Sequence, residues 1–250
     1  PLIFSTAPTQ SPQATIQLYQ PIVDHLSQAT GKKIKLQAAR NFLEYTNYLQ
    51  KDKYDIVFDG PHFIGWRMQR LGHRVVAKLP GNIRFVVIAH AKAGIKHYRE
   101  LAGVKVCAFD SPNLLTLGFL DLFPSPASQP IHVPVKSFKG ALDCVRHGQG
   151  VAAVMRDKFW DKRSDSERQD LQLIYTTDKP FPHRAFSVSK RVDDETRQAI
   201  TRALVGELGM QPAANVLNTF RSKQFLLPQE AEYRGLGALL HPVWGFREAR

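Results

Sequence analysis

Two carboxylates and an imidazole surround one short apolar run, Tyr54-Asp55-Ile56-Val57-Phe58-Asp59-Gly60-Pro61-His62. Neighbouring carboxylates can divide acid and base roles when their surroundings push their pKa values apart. Here Asp55 reads as a capping or locally hydrogen-bonded group, so no acid–base pair is expected. The nine histidines are scattered along the chain. A histidine standing alone is more often satisfied or exposed than catalytic. The chain has no G-x-x-x-x-G-K-[ST] loop, no strand-linked G-x-G-x-x-G, no H-E-x-x-H and no G-x-S-x-G. The reading is therefore a protein with no catalytic residues, no metal and no cofactor.

What this stretch can do is bind. Val57 and Phe58 are strand formers, Gly60-Pro61 is a turn, and Phe63 to Leu71 has apolar residues at helical spacing with Gly72 as its stop. A strand that ends in a turn and a helix presents ligand-facing groups at its carboxyl end. It also offers helix-start N–H groups to an anion.

The elements that must position such groups follow a strand–helix rhythm. Leu2 to Ser5 reads as a strand. Ala14 to Ala29 reads as an amphipathic helix with Ile16, Tyr19, Ile22, Val23 and Leu26 on one face. Lys33 to Gln37 is the next strand and Asn41 to Leu49 the next helix. The rhythm resumes in the strand Arg84 to His90, a short helix Tyr98 to Leu101 and a strand ending at Phe109. Asn113 is the expected N-cap of a helix from Leu114, and Ser137 that of a helix to His147. Val133 to Val135, Val151 to Met155, Leu173 to Tyr175 and Ala185 to Val188 are further strands. From Asp193 a helix is expected to about Phe220, with an irregular end. Alternating strands and helices imply mostly parallel sheets covered by helices, in two α/β halves. The apolar strands near residues 87 and 187 are the expected crossovers between them.

The chain has 250 residues, 43% of them hydrophobic, with 34 Lys and Arg against 22 Asp and Glu, a net charge of +12. Such a balance attracts anions. The densest basic stretch, Lys158 to Arg168, is interleaved with acids, as on a solvated helix face, so no nucleic-acid partner is expected. No apolar run approaches the roughly 20 residues of a membrane span. The sequence starts at Pro1 without a methionine, which reads as a processed or trimmed start, with a targeting segment removed ahead of it or lying outside this stretch. Cys107 and Cys144 lack metal-ligand spacing. They read as two buried free thiols, with a single disulfide as the alternative.

Taken in order, Tyr19-Gln20-Pro21-Ile22-Val23-Asp24-His25-Leu26, Thr30-Gly31-Lys32-Lys33-Ile34, Tyr54-Asp55-Ile56-Val57 and Gly60-Pro61 resemble the phosphate/phosphite/phosphonate-binding protein family. The resemblance continues through Leu101-Ala102-Gly103, Ala108-Phe109, Gly148-Gln149 and Ile174-Tyr175-Thr176, and covers nearly the whole chain. Members are periplasmic solute-binding components of ABC transporters. The resemblance implies a type II periplasmic-binding-protein fold: two lobes, mixed sheets, two crossover strands and a helical C-terminal tail. Residues 1–87 with 188–250 would form one lobe and 88–187 the other. A small, anionic ligand would bind in the cleft between them by hinge closure. An ABC permease would be the membrane partner, the protein acting as a monomer in the periplasm. A periplasmic sensor domain of the same fold is the alternative.

The ligand motif departs from that family. Its Ser-Thr-Ser-Gly-like run is Asn113-Leu114-Leu115-Thr116 here, its tyrosine is Phe42 and its histidine is Phe138. The expected ligand-binding set is Phe42, Asp59, His62, Arg84, Phe109, Ser111, Asn113, Leu114, Thr116, Phe138, Arg156 and His183, with Arg184 a further source of positive charge. A buried oxyanion without donors is expensive, so a ligand with an apolar body and an anionic end is expected.

Overall fold

The computed structural model describes residues 1–246. The chain opens with β1 (Leu2–Thr6) and α1 (Pro12–Thr30). Ser11 caps α1 by accepting the Ala14 N–H at 3.2 Å, and Pro12 supplies a helical φ in the first turn. Gly31 ends the helix at φ 64°, a left-handed position that glycine occupies without strain. The helix runs through Pro21, whose side chain is exposed, and buries Tyr19, Ile22, Val23 and Leu26. Then come β2 (Ile34–Leu36), α2 (Phe42–Gln50), β3 (Ile56–Asp59), α3 (Pro61–Leu71) and β4 (Arg74–Lys78). Strand β4 was not anticipated: Val75-Val76-Ala77 is apolar, but charged residues end it and it follows a helix stop directly.

The chain next enters a second unit, residues 82–181. It contains β5 (Asn82–Ile83), β6 (Phe85–His90), β7 (Lys105–Phe109), α4 (Leu114–Leu120) and β8 (Ile131–Val135). After these come α5 (Phe138–Arg146), β9 (Ala152–Arg156), α6 (Asp157–Asp161), α7 (Asp165–Arg168) and β10 (Leu171–Thr176). β11 (Phe181–Pro182) pairs with β5 in a two-stranded sheet where the chain changes units. The chain then returns to the first unit, residues 1–81 and 182 onward, with β12 (Ala185–Val188), α8 (Asp194–Leu204), α9 (Glu207–Met210) and α10 (Ala214–Thr219).

In the first unit the sheet order is β2-β1-β3-β12-β4. β1 is parallel to β2 and β3, and β12 is antiparallel to β3 and β4. Phe4, Ile22, Leu26, Ile56, Phe58, Phe186, Ile200, Val216 and Phe225 form its apolar core. In the second unit the order is β10-β6-β9-β7-β8. β7 is parallel to β8 and β9, and β6 is antiparallel to β9 and β10. One edge strand, β8, contains Pro134, and the other, β10, has a bulge between Leu173 and Tyr175.

Three expectations change. The apolar strands near residues 87 and 187 each lie inside one unit: among the described residues β6 pairs with β9 and β10, and β12 with β3 and β4. The chain changes units ahead of them, at 81/82 and 181/182. The helix expected from Asp193 to Phe220 breaks after Leu204, because Val205 bridges to Phe225 and Gly206 takes φ 73° and ψ −149°. Cys107 and Cys144 are not free thiols. They form a disulfide with 6.4 Å between their Cα atoms, tying β7 to α5 within the apolar core of the second unit. The preference of cysteine for apolar surroundings does not separate a buried thiol from a buried bridge; only the packing of α5 on β7 does.

Candidate functional site

Strand direction puts the chemistry of each unit at one end of its sheet. In the first unit β1 and β3 end at Thr6 and Asp59, and β12 begins at Ala185, opposite Asp59. In the second, β7 and β9 end at Phe109 and Arg156, and Phe85 at the start of β6 faces Arg156.

Asp59 is fully buried at that end of the first sheet. The Arg67 guanidinium donates to both its oxygens, at 2.7 and 2.5 Å, and the Tyr45 hydroxyl donates to it as well. Burial and the Asp59 charge hold the Tyr45 hydroxyl well above the ordinary tyrosine pKa. Burial is the largest single influence and works against the charge on Arg67, but Asp59 and Tyr45 together leave the guanidinium pKa raised. The bidentate geometry is what a buried pair requires to offset desolvation. Arg67 follows Phe63 and Ile64 on the buried face of α3; an arginine in phase with apolar residues was the signal that would have revealed the pair. Asp55 is not locally bonded either, since it accepts the Ile3 N–H at 2.8 Å and an Arg191 N–H at 2.9 Å.

Phe42 and His62 belong to an aromatic group around Phe63. Phe42 stacks on Phe63 at 6.4 Å, and the His62 ring lies 4.4 Å from it. His62 is buried and folds back over Gly60, where a Cβ would stand 2.7 Å from the imidazole. Any larger residue at 60 would have to displace the imidazole; the backbone there, at φ −74°, is open to every residue type. His183 is buried too. Its Nδ1 accepts the Arg184 N–H at 2.8 Å, which leaves the proton of a neutral ring on Nε2. Its ring lies edge-on to Phe220 at 6.0 Å.

The second unit gathers the remaining expected residues. Asn113 caps α4, its Oδ1 accepting the Leu115 and Thr116 N–H groups at 3.0 and 3.5 Å. The Thr116 hydroxyl donates to the Phe109 carbonyl at 2.7 Å. Leu114 is buried and Ser111 exposed. Phe109 meets Phe138 edge-on at 5.1 Å, and Phe138 meets Phe159 at 5.3 Å. Ser137 caps α5 and so fixes where Phe138 emerges, accepting the Gly140 N–H at 2.9 Å. Arg84 donates to the Thr177 and Asp178 carbonyls at 2.8 and 3.3 Å, and Arg156 to the Asn82 carbonyl at 3.2 Å. Of the twelve expected residues, this one sheet end brings together Arg84, Phe109, Ser111, Asn113, Leu114, Thr116, Phe138 and Arg156. Phe42, Asp59, His62 and His183 belong to the first unit.

Two contacts of the first unit escaped sequence reasoning. Tyr19 and Phe220 line an open pocket of about 400 Å³ between α1 and α10. The Arg184 guanidinium stands over the Phe220 ring, 5.4 Å from its centre. Tyr19 had been read only as core, and nothing in the sequence separates a pocket wall from a core face. Among the described residues no cluster of His, Cys, Asp and Glu could hold a metal, and no helix is long and apolar enough to cross a membrane.

Several solved structures are similar to this chain. PhnD1 from Prochlorococcus marinus, in complex with methylphosphonate, is 13% identical, with 97% of each chain covered and a TM-score of 0.67. A Xanthomonas citri protein solved with ATP is 14% identical, with 99% of each chain covered and a TM-score of 0.75. A binding protein component of an ABC phosphonate transporter from Pseudomonas aeruginosa is 15% identical, with a TM-score of 0.61; 93% of this chain and 82% of that one are covered. At such identities the likeness assigns the fold, the mixed α/β, two-lobed type of periplasmic binding proteins. No curated protein matches the chain. The family described as "ABC transporter, phosphonate, periplasmic substrate-binding protein" matches over residues 4–233. The chain belongs to this family of phosphonate-type periplasmic substrate-binding proteins of ABC transporters.

Proposed function

We propose that this chain binds a small organic oxyanion of the phosphonate class at the carboxyl end of the second unit's sheet and delivers it to an ABC permease. Its family consists of substrate-binding components and not of enzymes. The observation that carries the ligand assignment is Arg84. Its guanidinium is held by two backbone carbonyls, and no ion pair with a carboxylate forms there among the described residues. A positive charge so placed favours an anion. The methylphosphonate on PhnD1 is consistent with that chemistry. The disulfide supports an oxidising, periplasmic location. The comparisons favour the transporter over the receptor sensor.

The ligand would carry an apolar body. Asn113 already uses two N–H groups at the start of α4, Thr116 donates to Phe109, and Phe109 and Phe138 offer ring surface without donors. Calorimetric titration of inorganic phosphate, methylphosphonate and phenylphosphonate tests this. Phosphate should bind at roughly millimolar or worse, about 4 kcal/mol, and phenylphosphonate more tightly. Arg84→Gln should weaken every ligand about tenfold or more. Micromolar phosphate binding would overturn the apolar-body reading. Unchanged affinity in Arg84→Gln would overturn the site.

A further inference from the structure

The basic stretch from Lys158 to Arg168 reads in the sequence as a solvated helix face, yet its second residue brings an aromatic ring to the sheet end assigned above. Phe159 lies in α6, which follows directly on β9. β7 ends at Phe109, its parallel neighbour β8 ends beside it at Val135, and α5 begins three residues later with Phe138. Three elements therefore deliver one phenylalanine each to the carboxyl end of the second unit's strands. Phe109 and Phe138 lie 5.1 Å apart at an interplanar angle of 83°, and Phe138 and Phe159 lie 5.3 Å apart at 45°. All three rings are half-buried.

Partly exposed rings in a row leave apolar surface in water, and such patches mark ligand or partner sites. This one sits where strands end and helices begin, the place of a ligand site in an α/β sheet. The outermost ring is held in place. The Arg163 guanidinium stands 4.5 Å from the centre of Phe159, donating to the Glu167 carboxylate at 2.9 Å and to the Phe159 carbonyl at 3.3 Å. Arg163 is thus committed to the ring and to Glu167 and fixes the wall without offering its charge to an anion. The rings carry no hydrogen-bond donor, so what they can hold is the body of a ligand and not its anionic end. Rings that meet edge-on or tilted set positive edges against negative faces. A further ring extends that arrangement, whereas an aliphatic body of the same size adds only buried area.

We propose that Phe159 is a specificity-determining residue that completes, with Phe109 and Phe138, an aromatic wall for an aryl group, and that the substrate class is therefore aryl-bearing phosphonates. This deepens the phosphonate reading and rests on it: Arg84 favours the anion, and the wall selects the body.

The test is calorimetry on the full chain with phenylphosphonate, cyclohexylphosphonate and methylphosphonate, on wild type, Phe159→Leu, Phe159→Tyr and Arg84→Gln, each shown to be folded by circular dichroism. Wild type should bind phenylphosphonate about two- to tenfold more tightly than cyclohexylphosphonate, which matches it in size but has no ring quadrupole. Phe159→Leu keeps apolar bulk and should reduce that preference while binding methylphosphonate as wild type does. Phe159→Tyr keeps the ring and should keep the preference. Arg84→Gln should weaken all three ligands and leave their ratios unchanged. Equal or tighter binding of cyclohexylphosphonate by wild type would overturn the proposal without need of any variant. So would an undiminished preference in Phe159→Leu, or an equal loss of all three ligands there. Each of those results leaves the phosphonate reading standing, whereas absence of any phosphonate binding to folded wild type would overturn both.

Discussion

The two units stabilise their interiors by different means. The first places a charged pair, Asp59 with Arg67, inside its fold and satisfies it with Tyr45 and Ser187; Arg67 Nε donates to the Ser187 hydroxyl at 3.1 Å. The second keeps its core apolar and fastens it with Cys107–Cys144. The first arrangement fixes geometry through groups that all fail together if one is removed. The second limits the unfolded chain and asks little of its neighbours. A buried ion pair is weak evidence for stability but a strong constraint on which side chains share a site. A cross-link adds stability without specifying a surface.

The largest effect should come from breaking the charged pair. Arg67→Met leaves Asp59 and Tyr45 buried without their cation and should cost roughly 3–5 kcal/mol in urea unfolding. Replacing both partners, Asp59→Leu with Arg67→Met, should recover much of that loss. If Arg67→Met were silent, the contrast between the units would collapse.

Next in size is the cross-link. The bridge spans 37 residues of sequence, and Cys107→Ala with Cys144→Ala should cost about 2–4 kcal/mol. A thiol reagent should find no thiol in denatured, unreduced protein and two after reduction. Any thiol before reduction would mean the bridge is incomplete.

The smallest effect distinguishes the units by pH. His73 sits beside the charged pair. Its Nδ1 is 3.3 Å from the Ser187 hydroxyl, and its Nε2 is 3.6 Å from Asp52, which Arg191 also holds. Burial first, then Arg67 and Arg191, lower its pKa to about 2. The folded protein therefore keeps this imidazole neutral, whereas the unfolded chain takes up a proton as pH falls through its ordinary value near 6.5. This stability is complete above about pH 6.5 and declines below it by up to about 1.4 kcal/mol per pH unit. His73→Gln should flatten that slope in denaturation measured from pH 7.5 to 5. An identical slope in the variant would remove His73 as its source.

How much of this was legible in the sequence depends on range. Local chemistry was. Ser137 and Asn113 announce helix starts because a short polar side chain beside an apolar periodic run has a near neighbour to cap. The strands around Val57 and Val87 show in their β-branched runs. What failed rests on contacts distant in sequence. The pairing of Asp59 was hidden because Arg67 and Tyr45 reach it only once α3 and α2 pack on β3. Cys107 meets Cys144 only through the docking of α5 on β7. The break after Leu204 is set by Phe225, twenty residues on. Phe109 and Phe138, by contrast, were expected in one set from the resemblance, and the fold places their rings together.

The borders of the second sheet have a consequence for how copies of this protein meet. Each border strand exposes an apolar side chain, Ile131 at 51% on β8 and Leu173 at 49% on β10. Unpaired strand borders of this kind recruit other chains. On β8 the Ile131 N–H points inward to the Val104 carbonyl, so alternation turns the nitrogen of Pro134 outward, where it carries no hydrogen to share. On β10 the irregularity after Leu173 interrupts the row of donors and acceptors at the other side. Each side of the sheet thus carries a feature that opposes lengthening close to its exposed apolar side chain.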